Sequence, residues 1–121
     1  MIQEDFVSFE TAKFLKEKGF TANIHGMYDH EGKFCESTFT YIEPYYSCYA
    51  PTLQMAMKWL REVHKLSIEP YYDIVLSWIV DIKHIGKHTN CEEFEEVRSQ
   101  AYNSYEEACE KAIKYCLENL I

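Results

Sequence analysis

The residues best suited to metal chemistry are His84, His88 and Cys91, which follow the pattern His-x3-His-x2-Cys. A helical turn would bring the two imidazoles together, and imidazole nitrogen and thiolate sulfur are the usual donors to tetrahedral zinc. A fourth ligand would have to come from His25, His30 or Cys35. Gly86 disfavours the helix this pattern needs, Lys83 and Lys87 bring positive charge against a cation, and no Cys-x2-Cys pair accompanies it. A polar surface loop accounts for the same residues, so no metal ligand and no cofactor is assigned.

Cysteine chemistry is the next candidate. Cys35 or Cys48 beside a histidine would make a thiolate nucleophile, because imidazolium lowers a thiol pKa. Cysteine is also among the most often buried residue types, and Cys109 and Cys116 fall within one predicted helix as packing atoms. The acidic group Glu92, Glu93, Glu95 and Glu96 lacks the alternating oxygen ligands and turn glycine of a calcium loop, and reads as a solvated face. Asp29 with Glu31, or Asp73 with Asp81, would serve acid–base work only in a pocket that raises one pKa. No catalytic residue is assigned.

The least ordinary feature is aromatic. Tyr41, Tyr45, Tyr46, Tyr49, Tyr71 and Tyr72 cluster around two proline-broken strand ends. Tyrosine joins a large contact area to a hydroxyl that tolerates water, the combination binding surfaces use. The plainer account is that the rings fill the edges of a small sheet. These six residues form the candidate interaction patch.

The elements that would position these groups follow from periodicity and capping. Ser8 as N-cap, the Val7–Ala12 staple and Gly19 as left-handed stop predict a first helix over about 9–18, with Phe20 touching Leu15. Thr21 to Glu31 has no period and reads as a loop leading to a turn at His30, Glu31 and Gly32. Lys33 to Glu43 is rich in β-branched and aromatic residues and predicts a strand ended by Pro44, followed by an extended piece from Tyr45 to Ala50.

Pro51 and Thr52 open a second helix, whose Leu53, Ala56, Met57, Leu60 and Val63 form an inward stripe. Leu66 to Glu69 is short and broken by Pro70. Tyr71 to Ile82 then has the clearest alternation in the chain. It predicts one strand, with Ile74, Leu76, Trp78, Val80 and Ile82 on a buried face and Asp73, Val75, Ser77, Ile79 and Asp81 on a mixed one. Gly86 to Gln100 reads as a connection with a short helical or strand piece near Phe94 and Val97. Ser104 and Glu107 make a capping-box pattern for the last helix, striped by Ala108, Cys109, Ala112, Ile113, Cys116, Leu117 and Leu120. Glu107 with Lys111 and Glu110 with Lys114 are expected as ion pairs on its wet side.

This order predicts a single α+β domain over residues 1–121, a small antiparallel sheet with about three helices packed on one face in two layers. Its size and 47% hydrophobic content permit a core without staples and exclude a disordered chain. The 20 acidic and 12 basic residues leave a net charge of −8, so nucleic acid is an unlikely partner. The five cysteines, odd in number and scattered, read as free thiols of a reducing compartment, hence the cytoplasm. No apolar run approaches the roughly 20 residues a bilayer requires, so no membrane is expected.

Pro51 to Glu62 (PTLQMAMKWLRE), Ser104 to Ile121 (SYEEACEKAIKYCLENLI) and the opening Val7 to Phe20 resemble a family of short proteins of unknown function from gut bacteria and their prophages. The similarity covers roughly half the chain. It implies a tryptophan-containing middle helix, a closing SYEEA-type helix and a mobile-element setting, with no residue roles to transfer. The expected function is a non-enzymatic protein-binding or self-associating module, with a homodimer as its simplest form. The alternative is a small metal-binding or cysteine-dependent enzyme.

Overall fold

The computed structural model describes residues 2–21, 26–36, 48–90 and 92–121. Helix α1 spans Phe9–Glu17, with the Ser8 hydroxyl accepting from the Thr11 N–H at 3.2 Å. It ends as its sequence predicts. Gly19 adopts φ 86°, and the N–H groups of Phe20 and Gly19 donate to the carbonyls of Leu15 and Lys16. Those two bonds are the Schellman pair, satisfying acceptors that a helix end leaves open.

A three-stranded antiparallel sheet follows, in the order β2-β1-β3, from β1 Gly26–Tyr28, β2 Phe34–Glu36 and β3 Cys48–Tyr49. The turn expected at His30 to Gly32 joins β1 to β2. It is held by the Asp29 carboxylate, which accepts from the N–H groups of Glu31 and Lys33, both at 2.9 Å. Gly26 to Tyr28 is a strand and not the loop that its composition suggests. The reason is tertiary: a Cβ on Gly26 would stand 2.7 Å from the Ala50 carbonyl oxygen and from the Phe6 ring, so only glycine lets these segments close. The predicted strand beyond Glu36, including Tyr41, lies outside the described residues, as do Tyr45 and Tyr46.

Helix α2, Leu53–Val63, is capped by Thr52 and buries Leu53, Ala56, Met57 and Leu60. Val63 departs from that stripe and is exposed. The helical period brings the next inward position to His64, whose ring lies 4.7 Å from that of Trp59.

The largest correction concerns Tyr71 to Ile82. That stretch is not one strand but runs through the end of one strand, the turn and most of the next in a hairpin, β4 Leu66–Asp73 paired antiparallel with β5 Ser77–His84. Asp73 faces Ser77 across the turn, and Ile74, Val75 and Leu76 form its tip. Trp78, Val80 and Ile82 do share a face, opposite Tyr72, Pro70 and Ile68. Ile74 and Leu76 leave that face for solvent. Pro70 sits inside β4 and does not break it.

The hydrogen-bond phase of the ladder explains that tolerance. Trp78 exchanges both backbone bonds with Tyr102 on the outer side of β5, at 3.2 and 2.7 Å. Its backbone groups therefore point away from β4, and with alternate pairing so do those of Val80 and Ile82 at their even spacing. Pro70, opposite Val80, has no N–H to give and none is asked of it.

Helix α3, Glu95–Arg98, is the short helical piece near Phe94 and Val97, both of which are buried. Helix α4, Tyr105–Asn119, starts where Ser104 accepts from the Glu107 N–H at 3.1 Å. The Glu107 carboxylate accepts from Asn103 N–H, one residue ahead of the expected box. Ala108, Cys109, Ala112, Ile113, Cys116 and Leu117 are all buried, and this face packs on both strands of the hairpin and on α1 and α2. Leu66, Ile68, Val80 and Ile82 supply the opposing layer, each such side chain contributing about 1.5–3 kcal/mol by burial. The fold is α+β, and among the described residues its strands divide between two small antiparallel sheets and its helices number four.

Electrostatics on α4 differ from the predicted pairs. Glu110 does not turn to Lys114. Its carboxylate accepts from the Thr11 hydroxyl at 2.6 Å and the Ser8 N–H at 3.1 Å, tying α4 to the start of α1. Lys114 bonds Glu10 at 3.0 Å and lies 3.8 Å from Glu118. No helix among the described residues is long and apolar enough to cross a membrane.

Candidate interaction surface

The turn between β4 and β5 puts aliphatic side chains where a hairpin ordinarily puts glycine, asparagine or aspartate. Ile74 is 89% exposed, Val75 84% and Leu76 55%. On the strand below them Tyr71 is 51% and Tyr72 60% exposed. Exposed apolar side chains gathered at one hairpin end of a chain rich in charge mark a contact surface more often than chance exposure does.

The tip has a built backbone. The Asp73 carboxylate accepts from the N–H groups of Val75 and Leu76 at 2.8 and 2.9 Å, and these bonds, with that of Leu76 foremost, hold its pKa below the ordinary carboxylate value. Ser77 adopts φ 76°, a left-handed conformation that costs a residue with a Cβ about 1 kcal/mol or more. Its hydroxyl donates to the Tyr102 carbonyl at 3.1 Å, which offsets part of that cost. Beneath the tip, the Trp78 ring meets Tyr72 at 5.4 Å and Tyr105 at 5.6 Å, both edge to face, and Gln54 donates to the Tyr105 hydroxyl at 2.9 Å. The apolar residues thus stand on a supported stalk.

Of the six tyrosines expected to act together, Tyr71 and Tyr72 lie on this hairpin, whereas Tyr49 lies in β3 of the other sheet. Tyr41, Tyr45 and Tyr46 fall outside the described residues. Sequence reasoning missed Ile74, Val75 and Leu76 as surface groups, assigning Val75 to a mixed face and the other two to the core. The available signal was Asp73, a residue that opens turns by bonding the backbone two and three positions on.

Of the candidate metal residues His84, His88 and Cys91, the first two lie among the described residues. His84 Nε2 lies 3.0 Å from a Glu93 carboxylate oxygen, with its ring 5.2 Å from Phe94. His88 is exposed on a cleft of about 540 Å³ that Tyr71, Asp81, Thr89, Asn90 and Arg98 also line. Arg98 pairs there with Asp81 and donates to the carbonyls of Asn90 and Ile82. No group of three potential ligands is assembled among the described residues, and His25 and Cys91 lie outside them.

Cys35, Cys109 and Cys116 are free thiols, the first partly exposed and the other two buried, and Cys48 is buried as well. Burial pushes the Cys109 thiol up to about 11 and that of Cys116 to about 12. Thiols so far from ionising are poor nucleophiles at neutral pH.

The chain matches no protein-family model, no curated protein and no solved structure.

Proposed function

We propose that this chain is a non-enzymatic protein-binding or self-associating module whose contact surface is the β4–β5 hairpin tip. The observation that carries the reading is the exposure of Ile74, Val75 and Leu76 on a turn whose backbone is fixed by Asp73 and Ser77. A rigid apolar projection lowers the ordering cost of association, since few side-chain rotamers and no loop need be immobilised on contact. Tyr71 and Tyr72 add contact area with hydroxyls that remain at ease in water.

A cytoplasmic setting is part of the same reading, supported by the free thiols of Cys35, Cys109 and Cys116, which a reducing compartment keeps unpaired. The resemblance of Pro51 to Glu62 and Ser104 to Ile121 to short prophage-associated proteins adds a mobile-element origin to the proposal. The test compares proteins retained from host extract by the wild-type chain and by Val75→Asp, with equal circular dichroism of the two as the control. Specific retention lost in the variant is expected. Identical retention by both would sink the hairpin tip as the binding surface.

A further inference from the structure

We infer that the occupant of the hairpin tip is a second copy of this chain, paired across a two-fold axis through the outer edge of β4 at Tyr72. The inference rests on the binding role proposed for the same tip and names its partner.

The two edges of the hairpin are unlike. On the β5 side, Tyr102 takes both backbone groups of Trp78, and Arg98 covers the Ile82 carbonyl. On the β4 side, Tyr72 stands opposite Trp78 and shares its phase, so its N–H and C=O point outward, and no described backbone group meets them. An open strand edge is a template for another strand. Pro70, the next outward-facing position, has no N–H and stops such pairing from running along β4. What remains is a short edge with both partners' needs met when Tyr72 of one copy exchanges two hydrogen bonds with Tyr72 of the other.

That register lays each tip alongside the strand of its mate. Tyr72, Ile74, Val75 and Leu76 together expose on the order of 500 Å² per chain, below the ~800 Å² per partner of a standard interface and in the range of small reversible ones. From Pro70 to Val80 the only charged side chain is Asp73, whose carboxylate is already engaged by two N–H groups. Two copies can therefore bury the aliphatic tips and the Tyr72 rings while each Asp73 carboxylate keeps its two N–H donors and its access to water. The contact is isologous and closes at two, consistent with an edge that permits one pairing. Each copy carries a net charge of −8, so the protomers repel at long range and salt should tighten the dimer by screening.

Sedimentation velocity of the full chain over a dilution series tests the proposal, together with amide hydrogen exchange at Tyr72. A reversible monomer–dimer equilibrium is expected, strengthened by added salt and weakened at least about tenfold by Val75→Asp, with Tyr72 N–H protected only at high concentration. Ile74→Asp, at an equally exposed position, guards against an effect peculiar to one substitution. A single monomeric species throughout, or a dimer that neither variant weakens, overturns the inference. A monomer whose retention of host proteins still depends on Val75 removes the second copy alone, and one whose retention does not depend on it removes the binding reading as well.

Discussion

Ser77 holds the most informative backbone in the molecule. Its φ of 76° favours glycine, yet a serine hydroxyl there donates to Tyr102 and joins the hairpin to the segment entering α4. The two effects are of similar size, about 1 kcal/mol each. Ser77→Gly should therefore leave stability within about 0.5 kcal/mol of wild type, because relief of strain offsets the lost bond. Ser77→Ala keeps the strain and loses the bond, and should cost about 1 kcal/mol. Urea denaturation of the pair reads the difference directly, and equal stabilities would contradict it.

Asp73 and Asp29 make a pH prediction with one sign. Backbone N–H donors lower both carboxyl pKa values in the folded chain, from Leu76 and Val75 for the first and chiefly from Lys33 for the second. A depressed folded pKa contributes stability that is full above the unfolded value near 4 and is lost as pH falls through the folded one. The two turns should thus loosen below about pH 4, and the amide resonances of Val75 and Leu76 should report a midpoint lower than that of a free aspartate. Asp73→Asn, which keeps an acceptor oxygen, should remove the transition while retaining the turn. The thiols offer a further check at this scale. Brief alkylation of native protein should modify half-exposed Cys35 well before Cys109 or Cys116, whose pKa values are raised by burial.

At the scale of elements, α4 organises the fold and Glu110 organises its docking. One carboxylate oxygen takes the Thr11 hydroxyl and the Ser8 N–H, while the other is buried without a partner. Thr11 itself is fully buried. Deleting either side leaves the other unsatisfied, so Thr11→Val and Glu110→Ala should each cost about 1.5–3 kcal/mol. The double variant should cost less than their sum by more than about 1 kcal/mol, a coupling that additive losses would disprove.

The same scale shows what was legible beforehand. Helices announced themselves where caps and stripes agreed, as with Ser8 and Gly19 for α1 or Ser104 and the small-residue stripe for α4. Strands did so poorly, for two physical reasons. A two- or three-residue strand such as β1 has no room for a period, and its formation depends on Gly26 admitting Phe6 and Ala50. The hairpin failed differently. Alternation from Tyr71 to Ile82 continues unbroken through the turn, because the tip is aliphatic, and a period-two pattern cannot register a reversal whose turn residues are Ile, Val and Leu. The feature that hid the turn is the one now proposed to bind.

For the whole molecule, the core and the contact surface are separate. Leu66, Ile68, Val80 and Ile82 meet α4 on one face, while the tip projects beyond the last core pair and takes no part in that layer. Stability and association should therefore respond to different substitutions on the same hairpin. Denaturant unfolding of Val75→Asp and Val80→Asp in dilute solution measures this most directly. Val75→Asp should stay within about 0.5 kcal/mol of wild type, as surface changes do, whereas Val80→Asp should lose more than about 3 kcal/mol by burying a charge among apolar groups. A comparable loss from Val75→Asp would place that side chain in the core and leave the hairpin tip with nothing to offer a partner.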